Sequence, residues 1–263
     1  MISPLAFVDP TAKLGENVTV HPFAFIDKDV EIGDGCVIMP YASIMNGSRL
    51  GKNIRVYNGA IVGADPQDYH WKGEKTFCTV GDNTTIREQV IINRSSHAGQ
   101  ATKIGSGCYL FAETHVSHDS EVSDKCVLGN GVQVAGDVHI GTCSILSTGA
   151  KINAGSRLGE WVFIKGGCRI SGNVPPFVIM AHNPAVYYGV NAMVMRDKAK
   201  AFTETAIDDI AKAYRHIYQC NISLFNAVKR IEADVPESPE RDAILTFIRE
   251  CDNKIVALPK LDE

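Results

Sequence analysis

What is missing narrows the field first. The sequence has no uninterrupted apolar run of about 18 residues, the length that crosses a bilayer as a helix. Its start, MISPLAFVDP, has no charged-then-apolar leader. A soluble, cytoplasmic protein without membrane insertion is the expectation. Basic residues are not in excess, since 26 Lys and Arg against 30 Asp and Glu leave a net charge of −4. A nucleic-acid partner would need a concentrated basic surface, so none is expected. Eight cysteines are present, but no CxxC pair or zinc-like cluster gathers them. At 263 residues the chain is long enough to bury a real core.

What is present is a period of six. Stepping from Ile2 meets Val8, Leu14, Val20 and so on to Val62. The phase resumes at Val80, Ile86 and Ile92, and again from Ile104 to Ile170. All 26 of these positions are aliphatic. Two residues before each stands a small or β-branched residue, such as Ala24, Ala42, Thr84 or Ala150. Strand side chains alternate, so these two columns share one face, and that face must point inward. Cys36, Cys78, Cys108, Cys126 and Cys168 fall in the small column, which makes them packing residues.

A hexapeptide period of this kind predicts a parallel β-helix in which three hexapeptides close a triangular coil. Residues 18 apart then stack, and 26 rungs give about nine coils. The pattern fails at 63–79 and 93–103, two polar stretches expected to loop out of the solenoid, over which it otherwise runs from 1 to 190. Loops leaving a regular scaffold are where function tends to sit. After VPP at 174–176 the period disappears, and from Thr203 a helical spacing takes over at Ile207, Ile210, Ala211, Tyr214, Ile217 and Tyr218. A helical domain is expected over 191–263, with its last helix opening at Ser238-Pro239. Between 196 and 230 it has seven basic residues, Lys200 among them, against four acidic ones.

The chemistry-bearing stretch is ETHVSHDS, 113–120. With Val116 inward, His115 points outward, and His118 and Asp119 fall in the turn that follows. One coil on from His118 stands Gly136. An imidazole beside a glycine N–H is what an acyl transfer requires: a base for the attacking hydroxyl and a donor for the oxyanion. A histidine suits the base because it titrates near neutrality, and Asp119 could orient it. Two other readings stay open on spacing alone. One is an ordinary surface turn. The other is zinc held by His115, His118 and a third ligand from a neighbouring coil or subunit.

At VGDNTTIREQVIINR (80–94), GADPQD (63–68), THVSHD (114–119), VPPFVI (174–179) and GVN (189–191), the chain resembles the bacterial UDP-N-acetylglucosamine O-acyltransferases. The resemblance spans nearly the whole chain and implies a mainly β fold, a left-handed β-helix with a C-terminal helical domain, assembled as a homotrimer with active sites between subunits. It implies transfer of a 3-hydroxyacyl chain from acyl carrier protein to a UDP-amino sugar, the first step of lipid A synthesis, with no cofactor and no metal. Residue by residue, His118 matches the general base, Asp119 its companion carboxylate and Gly136 the oxyanion donor. His115 and Asp68 match substrate contacts, Asn191 a nucleotide-side contact, Gly166 an acyl-pocket position and Arg196 a phosphate contact. The basic 196–230 segment would suit an acidic carrier protein. Departures are also visible. Asp137 stands where relatives have a histidine, Asn153-Ala154 replaces a His-Gln pair, Pro184 replaces a histidine, and Ser95-Ser96 replaces Gly-Thr. Asp137 and Asn153 are kept as substrate-side positions. Because Asp137 would repel an anionic ligand, N-acylation of an amino-sugar nucleotide remains an alternative, as does a non-catalytic sugar-nucleotide binder.

Overall fold

The aliphatic period closes the chain into a left-handed parallel β-helix of triangular section, capped by helices, in a computed structural model that describes residues 1–198 and 202–258. Lys200 and residues 259–263 of the expected helical domain lie outside the described residues. Among those described, strands form three sheets of nine, eight and ten. The first runs from Phe7–Val8 to Arg169–Ile170, the second from Lys13–Leu14 to Arg157–Leu158, and the third from Thr19–Val20 to Val186–Val190. Phe7 pairs with Phe25 and His115 with Gln133, so residues 18 apart stack as the period requires. At the two excursions the partners stand further apart: Val62 lies beside Ile92, and Val80 beside Ile104.

The core is the two inward columns. Ile26, Ile44, Ile86, Leu110, Leu128 and Ile140 are fully buried, as are Ala42, Cys36, Cys126 and Cys168 of the small column. The cysteines pack as expected; Cys126 Sγ lies 3.2 Å from the Gly141 carbonyl, within the weak hydrogen bonding a thiol offers. Glycines after the aliphatic rung are forced by stacking. A Cβ on Gly33 would sit 2.5 Å from the Gly51 carbonyl oxygen of the next coil. No helix among the described residues is long and apolar enough to cross a membrane.

The last parallel strand, Val178–Ala181, turns back antiparallel onto Val186–Val190 before helix α1 (Ala192–Lys198). Helices α2 (Glu204–Tyr218), α3 (Leu224–Asp234) and α4 (Pro239–Glu250) start at Thr203, Ser223 and Ser238, whose side chains cap the first-turn amides. Helix α2 buries Ile207, Ile210, Ala213, Tyr214 and Ile217, while Ala211, counted on that face from sequence, is half-buried. Tyr214 donates its hydroxyl to the Pro176 carbonyl and Tyr218 stacks on Tyr187 at 4.3 Å, which seats the helices on the end of the solenoid.

Candidate active site

The site forms at the corner where the first sheet turns into the second. Val116 is fully buried, which sends His115 outward and leaves His118 and Asp119 in the turn. Asp119 sits in the left-handed region at φ 61°, where aspartate is among the better-tolerated residues. This conformation sets its carboxylate beside the preceding imidazole: His118 Nδ1 lies 2.7 Å from Asp119 Oδ2. Nδ1 is thereby engaged, and Nε2 has no partner among the described residues.

Gly136 stacks directly above. A Cβ there would meet His118 Cε1 at 2.8 Å and Nε2 at 3.0 Å, so only glycine lets the ring lie against the next coil. The Gly136 N–H finds no acceptor among the described residues, while its carbonyl accepts from Gly155 N–H at 3.1 Å. An imidazole nitrogen and a main-chain donor are thus both open at one corner.

The excursion at 93–103 encloses the carboxylate. Asp119 accepts from Ser95 Oγ, from Ser96 N–H at 3.0 Å, from Ser96 Oγ at 2.7 Å, and faces His97 Nδ1 at 3.1 Å. Its side chain is only 8% exposed. Burial alone would raise this carboxyl, but the hydrogen bonds from Ser95, His118, Ser96 and His97 outweigh it and hold the group well below the usual carboxylate range. Asp119 is therefore ionised wherever the protein is folded near neutrality.

His115 donates its Nε2–H to Asn93 Oδ1 at 2.7 Å, and burial, with His118 nearby, pushes it below the ordinary histidine range. It is a neutral hydrogen-bonding group rather than a competing base. It lines an outward groove of about 330 Å³ with Ser117, Gln133, Lys151, Asn153 and Arg169. Its ring is turned to Asn93 while His118 turns to Asp119, so the two imidazoles do not converge as zinc ligands. No group of three or more metal-ligating side chains gathers among the described residues.

The first excursion is pinned by Arg94, whose guanidinium bonds Asp65 at 2.7 Å and stacks over Trp71 at 5.2 Å. This brings Asp68 to the same corner. The His70 N–H, then Ser96 and the His118 charge, lower the Asp68 carboxyl. Asp137 follows Gly136, at φ 57°, and its N–H donates to the His118 carbonyl at 3.2 Å.

The other expected positions lie further from His118, although Asn153 shares the groove of His115. Asn153 stands two coils above Ser117, where its Oδ1 accepts from Arg169 Nε at 3.1 Å. Gly166 occupies the corner between the third and first sheets, away from His118 within one protomer. Asn191 is 1% exposed, gives Nδ2 to the Trp161 carbonyl at 2.8 Å and leaves Oδ1 without a partner among the described residues. Arg196 is tied to Glu204 at 2.6 Å. Sequence reasoning passed over Asn93 and His97 as site residues and took Ser95 and Ser96 only as replacements. Their signal was the polar run NRSSH inside a break of the period, but which turn they would face depended on the path of the loop.

A hexapeptide prism that sets an imidazole–carboxylate pair beside an open main-chain amide belongs to the acyltransferase class. The comparisons give the family. Residues 173–256 match the family model described as Udp N-acetylglucosamine O-acyltransferase, domain 2, and residues 2–102 match the GMPPB C-terminal domain model. An acyl-[acyl-carrier-protein]–UDP-N-acetylglucosamine O-acyltransferase of Chlorobaculum parvum is 48% identical over 247 residues, covering 94% of this chain and 93% of that one. One from Myxococcus xanthus is 40% identical over 250 residues, covering 95% and 96%. The crystal structure of LpxA, a UDP-N-acetylglucosamine acyltransferase from Bacteroides fragilis, superimposes with a TM-score of 0.95 at 41% identity, covering 97% of this chain and all of that one. The chain belongs to the acyl-[acyl-carrier-protein]–UDP-N-acetylglucosamine O-acyltransferase family.

Proposed function

We propose that the chain transfers a 3-hydroxyacyl group from acyl carrier protein to the 3-hydroxyl of UDP-N-acetylglucosamine, with His118 as base. The observation that carries this reading is the pairing, one coil apart, of His118 Nε2 with the Gly136 N–H, neither of which has a partner among the described residues. In the proposed step the sugar hydroxyl gives its proton to Nε2 as its oxygen bonds to the thioester carbonyl carbon. The Gly136 N–H receives the oxyanion. Collapse breaks the C–S bond, and the imidazolium returns the proton to the departing thiolate. Asp119, ionised and fixed, stabilises the imidazolium between these events and holds the ring so that Nε2 faces the substrate. The thioester already supplies an activated carbonyl, so the step as written is complete without a cofactor.

Asp68, His115 and Asp137 border the corner and would contact the acceptor. Gly166 and Arg196 reach one cleft with His118 only if a second protomer supplies the opposite wall, and a homotrimer is proposed on that ground; Asn191, buried against the Trp161 carbonyl, would support that wall rather than face the cleft. An exposed apolar ladder supports the assembly. Phe7 stacks on Phe25 at 5.0 Å and Phe23 on Tyr41 at 5.2 Å, on the first sheet and the corner preceding it. Such a contiguous aromatic surface commonly marks a protein interface.

The test is direct. Purified protein, acyl carrier thioesters and UDP-N-acetylglucosamine should give an ester product by mass spectrometry, and light scattering should give three times the chain mass. His118→Ala should lower turnover by at least ~100-fold with the fold intact by circular dichroism. Near-normal turnover in that variant removes the mechanism.

A further inference from the structure

One carboxylate at this corner serves two imidazoles. Asp119 Oδ2 takes the His118 contact at 2.7 Å, while Oδ1 lies 3.1 Å from His97 Nδ1. The rings differ in setting: His118 is 17% exposed and His97 67%. His97 is placed by its own excursion, with its N–H donating to Ser95 Oγ at 3.0 Å and its carbonyl accepting from Gln100 N–H at 2.9 Å. It borders a groove of about 240 Å³ that also touches Asp119.

We propose that His97 is a positioning residue that sets how much of the Asp119 charge is available to His118. The idea rests on His118 being the base. The charged groups facing His97 come from every element packed around it. Asp119 and His118 come from the turn below, Asp137 from the next coil, Asp68 from the first excursion, and Lys103 and Glu121 from the second sheet at the groove. Asp119 foremost, then Asp137 and Asp68, raise His97 above the ordinary histidine range.

Near neutrality a proton therefore resides on His97 for part of the time. With it there, Asp119 is already neutralised, and an imidazolium forming on His118 meets a like charge across a shared counter-ion. Without it, the whole carboxylate charge supports His118. The two imidazoles are then linked through one shared counter-ion. On the acid side turnover should first slow as His97 protonates, then cease as His118 does.

Two variants separate charge from structure: His97→Gln keeps a neutral donor, and His97→Lys fixes the positive charge. The readouts are the pH profile of kcat/KM and a titration of 13C-labelled histidine by NMR, which needs no turnover. For His97→Gln the acidic limb should become a single one-proton step, moved to higher pH by about half a unit or more. The NMR midpoint of His118 should move the same way. For His97→Lys turnover at alkaline pH should fall by roughly 3–10-fold. Profiles of His97→Gln that superimpose on wild type, an unmoved His118 midpoint, or an equal loss at every pH would each overturn the proposal. If His118→Ala keeps its turnover, the base assignment fails, while the NMR shift still decides whether the carboxylate is shared.

Discussion

Two corners of the prism share one backbone and do different work. Where the second sheet turns into the third, the second residue after the aliphatic rung is an aspartate in three alternate coils, Asp34, Asp82 and Asp124. Each accepts the N–H of its counterpart one coil below: Glu16 at 2.9 Å, Lys52 at 2.7 Å and Ser106 at 2.7 Å. Where the first sheet turns into the second, the same slot holds His118, Gly136 and Ala154 in successive coils. No side-chain oxygen stands above Gly136, so its amide stays open. The amide proposed as oxyanion donor is thus an ordinary turn amide that lacks the aspartate brace seen at three coils of the other corner. A solenoid needs no special backbone to build a donor; it needs a coil without the brace.

The largest effect should come from restoring that brace. Ala154→Asn sets a neutral oxygen in the slot where Asp34, Asp82 and Asp124 accept, and should tie up the Gly136 N–H. Loss of one oxyanion donor costs about 10²–10³ in kcat, so turnover should fall by roughly 100-fold at unchanged or higher unfolding midpoint. A variant that binds UDP-N-acetylglucosamine normally and turns over normally would mean that the Gly136 amide takes no part.

The next effect tests why the aspartate of this corner is not a brace. Asp119 stands one residue further along the turn than Asp34, Asp82 and Asp124, and Ser95, Ser96 and His97 surround it. Asp119→Asn keeps the shape but removes the charge that supports the imidazolium, and turnover should drop by about 10-fold or more. The same charge gives a pH signature. The folded-state pKa is depressed, so the stabilisation is present above the unfolded-state value and is lost as pH falls towards the folded one. Urea midpoints of wild type should therefore fall more steeply with acidification below about pH 4 than those of Asp119→Asn.

How much of this could be read from the sequence follows from how each contact is made. Contacts between coils obey a fixed step of 18, so the stacking of Gly136 on His118 and of Gln133 on His115 was available from counting, as were the inward columns and the packing role of Cys126. Contacts made by the excursions obey no period. The enclosure of Asp119 by Ser95, Ser96 and His97, and the Asn93 partner of His115, depend on loop paths held by Arg94 against Asp65 and Trp71. Asn191 was legible as a family position. Its burial against the end of the solenoid was not, because that packing is set by tertiary contacts such as Asn191 Nδ2 to the Trp161 carbonyl. Gly166 falls at the remaining corner, between the third and first sheets, by the same count that placed His118, and counting within one chain says nothing of the neighbour it would face.

The smallest effect comes from the corner with braces. Asp124→Ala removes the acceptor for Ser106 N–H at an exposed turn, where water can take its place. A hydrogen bond of this kind contributes about 1 kcal/mol net, so the unfolding midpoint should fall slightly, while turnover stays within about twofold because the corner between the second and third sheets carries none of the reacting groups. Set beside Ala154→Asn, the pair is a double contrast: one change deletes a brace and costs stability alone, the other adds a brace and costs activity alone. Equal losses of activity from both would mean that the solenoid transmits strain between its corners. The nearest-neighbour stacking of a repeat fold argues against that, since each coil is held chiefly by the coils directly above and below.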